Sequence, residues 1–297
     1  MSNVILSGLT TITTISVFDG WDNIADILSD IRKIGCWFHR SLPDNKFVKV
    51  AVYGFGSLVV LRSLPFVLRR SSFFSYCEKE MIYFHRSNSN PDVIRYKEEL
   101  LKELKDEEHG LPLLEDEKLV ILELNAGGGT NLSYYPKGAY YIATDIHEEC
   151  KEQLENNFFL DSDEENIKLN RFINTIPEEL NSVPDNSVSC VVSFHALCSA
   201  RGTFRALEEI KRVLMPGGKL YFIEHTAVTE RWTAMWVAQI NFRPSMFLVG
   251  CCIKNIGSYI ENVGFSEVNY KNTWVDMSKL IGPLRSLAPH VYGYAVK

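Results

Sequence analysis

The 297-residue chain has no C-x-x-C pair, and its seven cysteines, Cys36, Cys77, Cys150, Cys190, Cys198, Cys251 and Cys252, show no disulfide-framework spacing. An odd, scattered set of thiols points to reduced cysteines in the cytosol. Neither the seven cysteines nor the seven histidines fall into a C-x2-C or H-x3-H grouping, so no structural metal is expected. An excess of base is missing too: 31 Lys+Arg against 37 Asp+Glu give a net charge of -6 and a pI near 5.7, which argues against a general nucleic-acid binder. Internal repeats and low-complexity tracts are lacking. With 46% hydrophobic and 23% charged residues, the chain is neither disordered nor fibrous, and it is long enough to bury a substantial core.

Long apolar runs are scarce. From Phe47 the chain reads FVKVAVYGFGSLVVLRSLPFVLRR, whose uncharged stretch Val50 to Leu61 is too short for the ~20 residues of a spanning helix. If Lys49 and Arg62 snorkel, Phe47 to Leu68 is just long enough, kinked at Pro65, with Arg69 and Arg70 marking a cytosolic edge. Upstream, Trp21, Ile24, Ile27, Leu28, Ile31, Ile34 and Phe38 form a helical apolar stripe. The stripe suits an interfacial helix, and equally a core helix packed on the domain that follows. Residues 1 to 90 hold ten Lys/Arg and seven Asp/Glu, whereas the remainder is acidic. A basic front beside anionic headgroups is consistent with that split. No basic n-region or small-residue cleavage site is evident, so a cleavable leader is not expected.

Three regions emerge: residues 1–70 as an amphipathic and hydrophobic segment, 71–117 as a helical linker and 118–297 as an α/β domain. The linker is rich in charge, and KEELLKELKDEEHG reads as a solvated helix. Beyond Lys118, short apolar runs (KLVILEL, AYYIATD, KLNRFINTI, VSCVVSF, KLYFIE) alternate with helical stretches near Glu148 to Phe158 and Thr203 to Leu214. Alternation of this kind predicts an α/β fold with a parallel sheet covered by helices. Met215-Pro216-Gly217-Gly218 is expected to end the second helix, and a further helix capped by Gly264 precedes two strands, SEVNY and HVYGYAV.

The first strand runs into Glu123-Leu124-Asn125-Ala126-Gly127-Gly128-Gly129, a glycine-rich turn at the carboxyl edge of the predicted sheet, where ligands of such sheets bind. A dinucleotide G-x-G-x-x-G would need glycine at 132, which is Leu132. The register E-x-G-x-G-x-G fits better, with only its first glycine replaced, by Asn125, and that is the pattern of an S-adenosylmethionine loop. Asp145, ending the second strand, can accept both hydroxyls of a ribose, or cap the helix that follows.

ELNAGGGTN, ATDIHE, PDNSVSCVV with ALCS, and EEIKRVLMPGGKLYFIEH, taken in order, resemble the class I S-adenosylmethionine-dependent methyltransferases. More narrowly, the ending PHVYGYAVK, the ALCS and the basic-apolar front resemble the methyltransferase-like protein 7 group, the membrane-associated thiol S-methyltransferases. Motif support runs from about residue 70 to 297. The resemblance implies a Rossmann-like, seven-stranded, mostly parallel sheet with an antiparallel last strand. It also implies S-adenosyl-L-methionine as cofactor, a small lipophilic thiol as methyl acceptor, and attachment to endoplasmic reticulum or lipid-droplet membrane with the domain facing the cytosol.

By matching positions, the resemblance assigns Glu123 to orienting the loop and Asn125, Gly127 and Gly129 to lining the methionine and ribose. Asp145 takes the ribose diol, Ile146 one face of the adenine, and Ile176 with Pro177 the other. Phe194 and His195 end the fourth strand beside the methyl group. His195 and His225 are the candidate proton acceptors, while Cys198 reads as a core residue with no base placed beside it. Trp232, Trp236, Phe242 and Met246 suit a lid over a lipophilic acceptor or a cover for the sheet. Asn125 leaves a second reading open, a membrane scaffold that retains the fold with weak or absent catalysis.

Overall fold

The computed structural model describes residues 90–105, 110–115, 117–160, 167–230, 233–236, 239, 251–277 and 287–297. The expected membrane-associating segment lies outside these residues, as do Trp232, Phe242 and Met246. Among the described residues no helix is long and apolar enough to cross a membrane.

Helix α1 spans Pro91–Leu101 and continues as a 3-10 turn, Lys102–Lys105. Asn90 starts it by accepting the Asp92 N–H at 3.0 Å, with Pro91 in the first turn, where a missing N–H costs nothing. The helix is not solvated all round, as its charge suggested. Val93, Tyr96, Lys97, Leu100 and Leu101 are buried. Their three-to-four-residue spacing makes an apolar stripe that the surrounding Lys and Glu residues obscure in the sequence.

Then follow β1 (Val120–Leu124), β2 (Tyr140–Asp145), α2 (Glu149–Leu160), β3 (Lys168–Asn174), β4 (Val188–Phe194), α3 (Thr203–Val213), β5 (Leu214–His225), α4 (Ile256–Asn262), β6 (Glu267–Trp274) and β7 (Pro289–Val296). They form one seven-stranded sheet in the order β3-β2-β1-β4-β5-β7-β6. Strands β1 to β5 pair in parallel, and β7 enters antiparallel between β5 and β6. The expected sheet is therefore present, antiparallel last strand included. Strand β5 begins earlier than expected, directly at the end of α3. Met215 to Gly218 lie within the strand, where the β4–β5 register shifts between Val188 and Cys190 and Gly217 has φ +79°. A bulge thus accommodates Pro216 and Gly217, residues that suggested a turn.

Side chains of β1 alternate between two cores. Ile121 joins α1 residues Val93, Tyr96 and Leu100 on one face. Val120, Leu122 and Leu124 join Leu207, Ile210 and Val213 of α3 and Ile256 and Ile260 of α4 on the other. Strand order reverses at β1 and β4, so the crevice at their carboxyl ends is the natural ligand position.

Candidate active site

The polypeptide leaves β1 in a left-handed turn. Asn125 has φ +52°, Gly127 +57° and Gly129 +81°. Asparagine tolerates this region better than other side-chain-bearing residues, so Asn125 preserves the turn that the missing glycine would have made. An ideal Cβ on Gly129 would lie 2.5 Å from Leu154 Cδ1 and 2.9 Å from Leu132 Cδ1. Gly129 therefore serves close packing of the loop on α2, rather than only exposing backbone to a ligand as expected.

The loop is tied to β2. The Ala126 N–H donates to Thr144 O at 2.9 Å and the Gly127 N–H to Asp145 Oδ2 at 3.0 Å, while Asp145 Oδ1 accepts the His147 N–H at 3.0 Å. Asp145 is fully buried, and each of its two oxygens already accepts a backbone N–H. Ile146 and Ile176, one and two residues past the paired positions Asp145 and Asn174, are 50% and 37% exposed. Pro177 is buried beside Ile176. Two exposed branched apolar side chains flanking a carboxylate at a sheet edge fit a nucleoside, whose base is flat and apolar and whose sugar is a diol.

Glu123 is buried behind the loop and accepts hydrogen bonds from Asn131 Nδ2, Tyr135 OH (2.8 Å) and Tyr141 OH (2.6 Å). Burial pushes its carboxyl up, and those three donors pull it back. Asn131 in turn accepts from Lys97 Nζ at 2.7 Å, and this ammonium lies 5.3 Å from the centre of the Phe194 ring. Lys97 is pushed down to about 8 by burial, with Glu123 opposing the shift. Glu123 is thus tied to the segment after the glycines through Asn131. Lys97, Asn131, Tyr135 and Tyr141 escaped the sequence reading. The buried position of Lys97 on the α1 stripe was the available signal.

At the end of β4, His195 takes φ +60°, an uncommon conformation for a residue with a side chain and one that clusters at functional sites. Three imidazoles gather here: the His195 ring lies 4.5 Å from that of His225 and 5.3 Å from that of His290. His290 was not anticipated. It stands opposite His225 in the β5–β7 ladder. A carbonyl only accepts, so Nδ1–H of His290 donates to Ala288 O (3.0 Å), and its Nε2 accepts from Nε2–H of His195 (3.1 Å).

His225 is more enclosed than a pocket-facing base would be, and its Nδ1 lies 3.3 Å from Cys198 Sγ and 3.6 Å from Cys251 Sγ. The expectation that no base stands beside Cys198 is thereby corrected. Residues 198 and 225 meet only because β4 and β5 are neighbours. Burial pushes the Cys198 thiol well up. Glu224 fixes the intervening turn: its carboxylate accepts the N–H groups of Ala196, Leu197 and Cys198 at 2.9–3.1 Å and the Ser193 hydroxyl at 2.7 Å. Of the expected lid, Trp236 is partly buried in a helical turn.

A family model described as "Methyltransferase domain" matches residues 122–222. Thiol S-methyltransferase TMT1A of Homo sapiens is 31% identical over 182 residues, 61% of this chain and 71% of the human one. Thiol S-methyltransferase TMT1B of Homo sapiens is 32% identical over 186 residues, with the same two shares. Among solved structures, an S-adenosylmethionine-dependent methyltransferase of Thermotoga maritima, titled a possible histamine N-methyltransferase, superposes with a TM-score of 0.48 at 16% identity, over 76% of this chain and 97% of that one.

Proposed function

Because the chain belongs to the class I S-adenosylmethionine-dependent methyltransferases and is related to the thiol S-methyltransferases, we propose that it methylates a small lipophilic thiol at a cytosol-facing membrane surface. The observation that carries the catalytic part is the loop-to-Asp145 clasp between two exposed isoleucines at the switch point of the sheet. The thiol is supported by the activity for which the two human relatives are named. Membrane attachment is supported by the apolar and basic front of the sequence.

S-adenosylmethionine, when bound, supplies a methyl group already made electrophilic by its sulfonium. The work left to the chain is alignment and exclusion of water. Asp145 would hold the ribose, Ile146 and Ile176 with Pro177 would cover the base, and the backbone of residues 125 to 129 would face the methionine. Phe194, with Lys97 against its ring, forms the inner wall, and His195 borders the acceptor. A thiol of ordinary pKa, ~8.5, ionises enough near neutrality that a strong base is not required. Asn125 in the left-handed conformation weighs against the scaffold reading, since the loop keeps its shape.

The test is transfer of labelled methyl groups by the full-length protein to matched thiol, amine, hydroxyl and carboxyl acceptors. Preferential labelling of the thiol is expected, by about tenfold or more, the size of one lost polar contact in a transition state. Equal or better labelling of another class overturns the thiol assignment. Donor binding with no transfer to any acceptor favours the scaffold.

A further inference from the structure

Two thiols converge on one imidazole inside the described fold. Cys198, Cys251 and His225 are 1%, 4% and 4% exposed, and their ligand atoms all lie within 4.8 Å of one another. We propose that Cys198, Cys251 and His225 form a binding site for a zinc-class divalent ion. Nothing in the methyl-transfer reading requires this site, and the cysteine and histidine spacing in the sequence argued against one.

The separations match those of a metal-bound set. Zinc–sulfur and zinc–nitrogen bonds of about 2.3 and 2.05 Å at a tetrahedral angle put sulfur and nitrogen about 3.6 Å apart. The observed separations from His225 Nδ1 are 3.3 Å to Cys198 Sγ and 3.6 Å to Cys251 Sγ. Both sulfur–nitrogen separations are close to the tetrahedral value, and all three ligand atoms lie within 4.8 Å of one another.

The three ligands also sit on segments already bound to one another. Glu224 holds the turn that carries Cys198, and His225 is the next residue along β5. The Cys252 N–H donates to Cys198 O at 2.8 Å, fixing the Cys251 segment to the Cys198 turn. The Ala227 N–H donates to Lys254 O at 2.8 Å, fixing that same segment to the chain leaving β5. Backbone ties of this kind hold first ligands in place and raise metal affinity.

Charge points the same way. Cys198 and Cys251 pack in an apolar cluster with Ile253, Leu287 and Ala227, where an uncompensated charge is costly. A divalent cation with two thiolates and a neutral imidazole is neutral as a unit. Binding forms two metal–sulfur bonds and one metal–nitrogen bond and releases the two thiol protons to solvent. Three protein ligands leave one tetrahedral position for a further donor. His195 and His290, with rings 4.5 and 4.6 Å from that of His225, stand in its neighbourhood.

The experiment uses untagged full-length protein purified under reducing conditions without chelator. Elemental analysis is expected to find about one zinc per chain, and the double variant Cys198→Ser/Cys251→Ser should retain at least about tenfold less. Cobalt added to the chelated wild type should produce a thiolate-to-cobalt charge-transfer band that zinc abolishes. This second readout needs no variant and stands if the double variant does not fold. A wild-type chain that stays metal-free in excess zinc and shows no such band overturns the proposal. So does a Cys198–Cys251 disulfide in the reduced preparation. Binding of the methyl donor by the same samples is measured in parallel: its survival alongside a failed metal test leaves the proposed methyl transfer standing.

Discussion

Asp145 and Lys97 show how single side chains set the chemistry of the crevice. Asp145 is expected to contribute both loop anchoring and ribose binding, through oxygens that already receive the Gly127 and His147 N–H groups. Asp145→Ala should therefore weaken S-adenosylmethionine binding at least about tenfold, the value of one to two charge-assisted hydrogen bonds. Calorimetric titration checks this, and unchanged affinity would remove the residue from the cofactor site. Lys97 makes a pH-dependent prediction. Its folded pKa of about 8 lies below the unfolded value near ~10.4, with Glu123 and Asn131 as the groups facing it. Across that interval the unfolded chain holds more protons, so this residue's contribution to stability rises with pH from about 8 to 10. Comparing wild type with Lys97→Met by denaturant unfolding, the difference should move in favour of wild type by about 2–3 kcal/mol between pH 7 and 10.5. A difference flat in pH would mean that the amine is not desolvated.

Among the elements, the turn between β1 and β2 carries a tight geometric demand. Gly129 combines φ +81° with side chains of Leu154 and Leu132 where a Cβ would go, whereas a Cβ on Gly128 would meet Gln153 Oε1 at 3.2 Å. Gly129→Ala is expected to cost about 1–3 kcal/mol in urea unfolding and to weaken cofactor binding with it. Gly128→Ala should cost less than Gly129→Ala, because Gly128 is outside the left-handed region and its Cβ would approach Gln153 no closer than 3.2 Å. Equal effects at the two positions would show that backbone conformation does not govern this loop. Helix α3 is simpler. Ala206, Leu207, Ile210 and Val213 make the buried stripe that covers one face of the sheet.

For the molecule as a whole, the proposed membrane attachment rests on the charge division of the sequence. Residues 1 to 70 hold the apolar and basic stretches that suit attachment to an anionic bilayer surface. Removing them is expected to shift the protein from the membrane pellet to the supernatant on fractionation of cells. Continued pelleting of the truncated chain would place the membrane-binding determinant in the catalytic domain instead. Access of a lipophilic acceptor from the membrane phase is the advantage that attachment would confer on such an enzyme.

Local patterns in the chain were enough for the alternation of strands and helices, the left-handed loop with Asn125 standing for glycine, and the carboxylate ending β2. Each rests on interactions between residues close in sequence, where periodicity and turn chemistry act directly. The burial of Lys97, the bond from Asn131 to Glu123, and the meeting of His195, His225 and His290 were not legible in that way. Nor was the convergence of Cys198 and Cys251 on His225, whose partners lie 27 and 26 residues away along the chain. The histidine contacts exist because β4 lies beside β5 and β7 enters antiparallel next to it, bringing strand ends remote in sequence to one edge. Ladder register and sheet order are cooperative outcomes of burying both faces of the sheet at once, and no short segment encodes them.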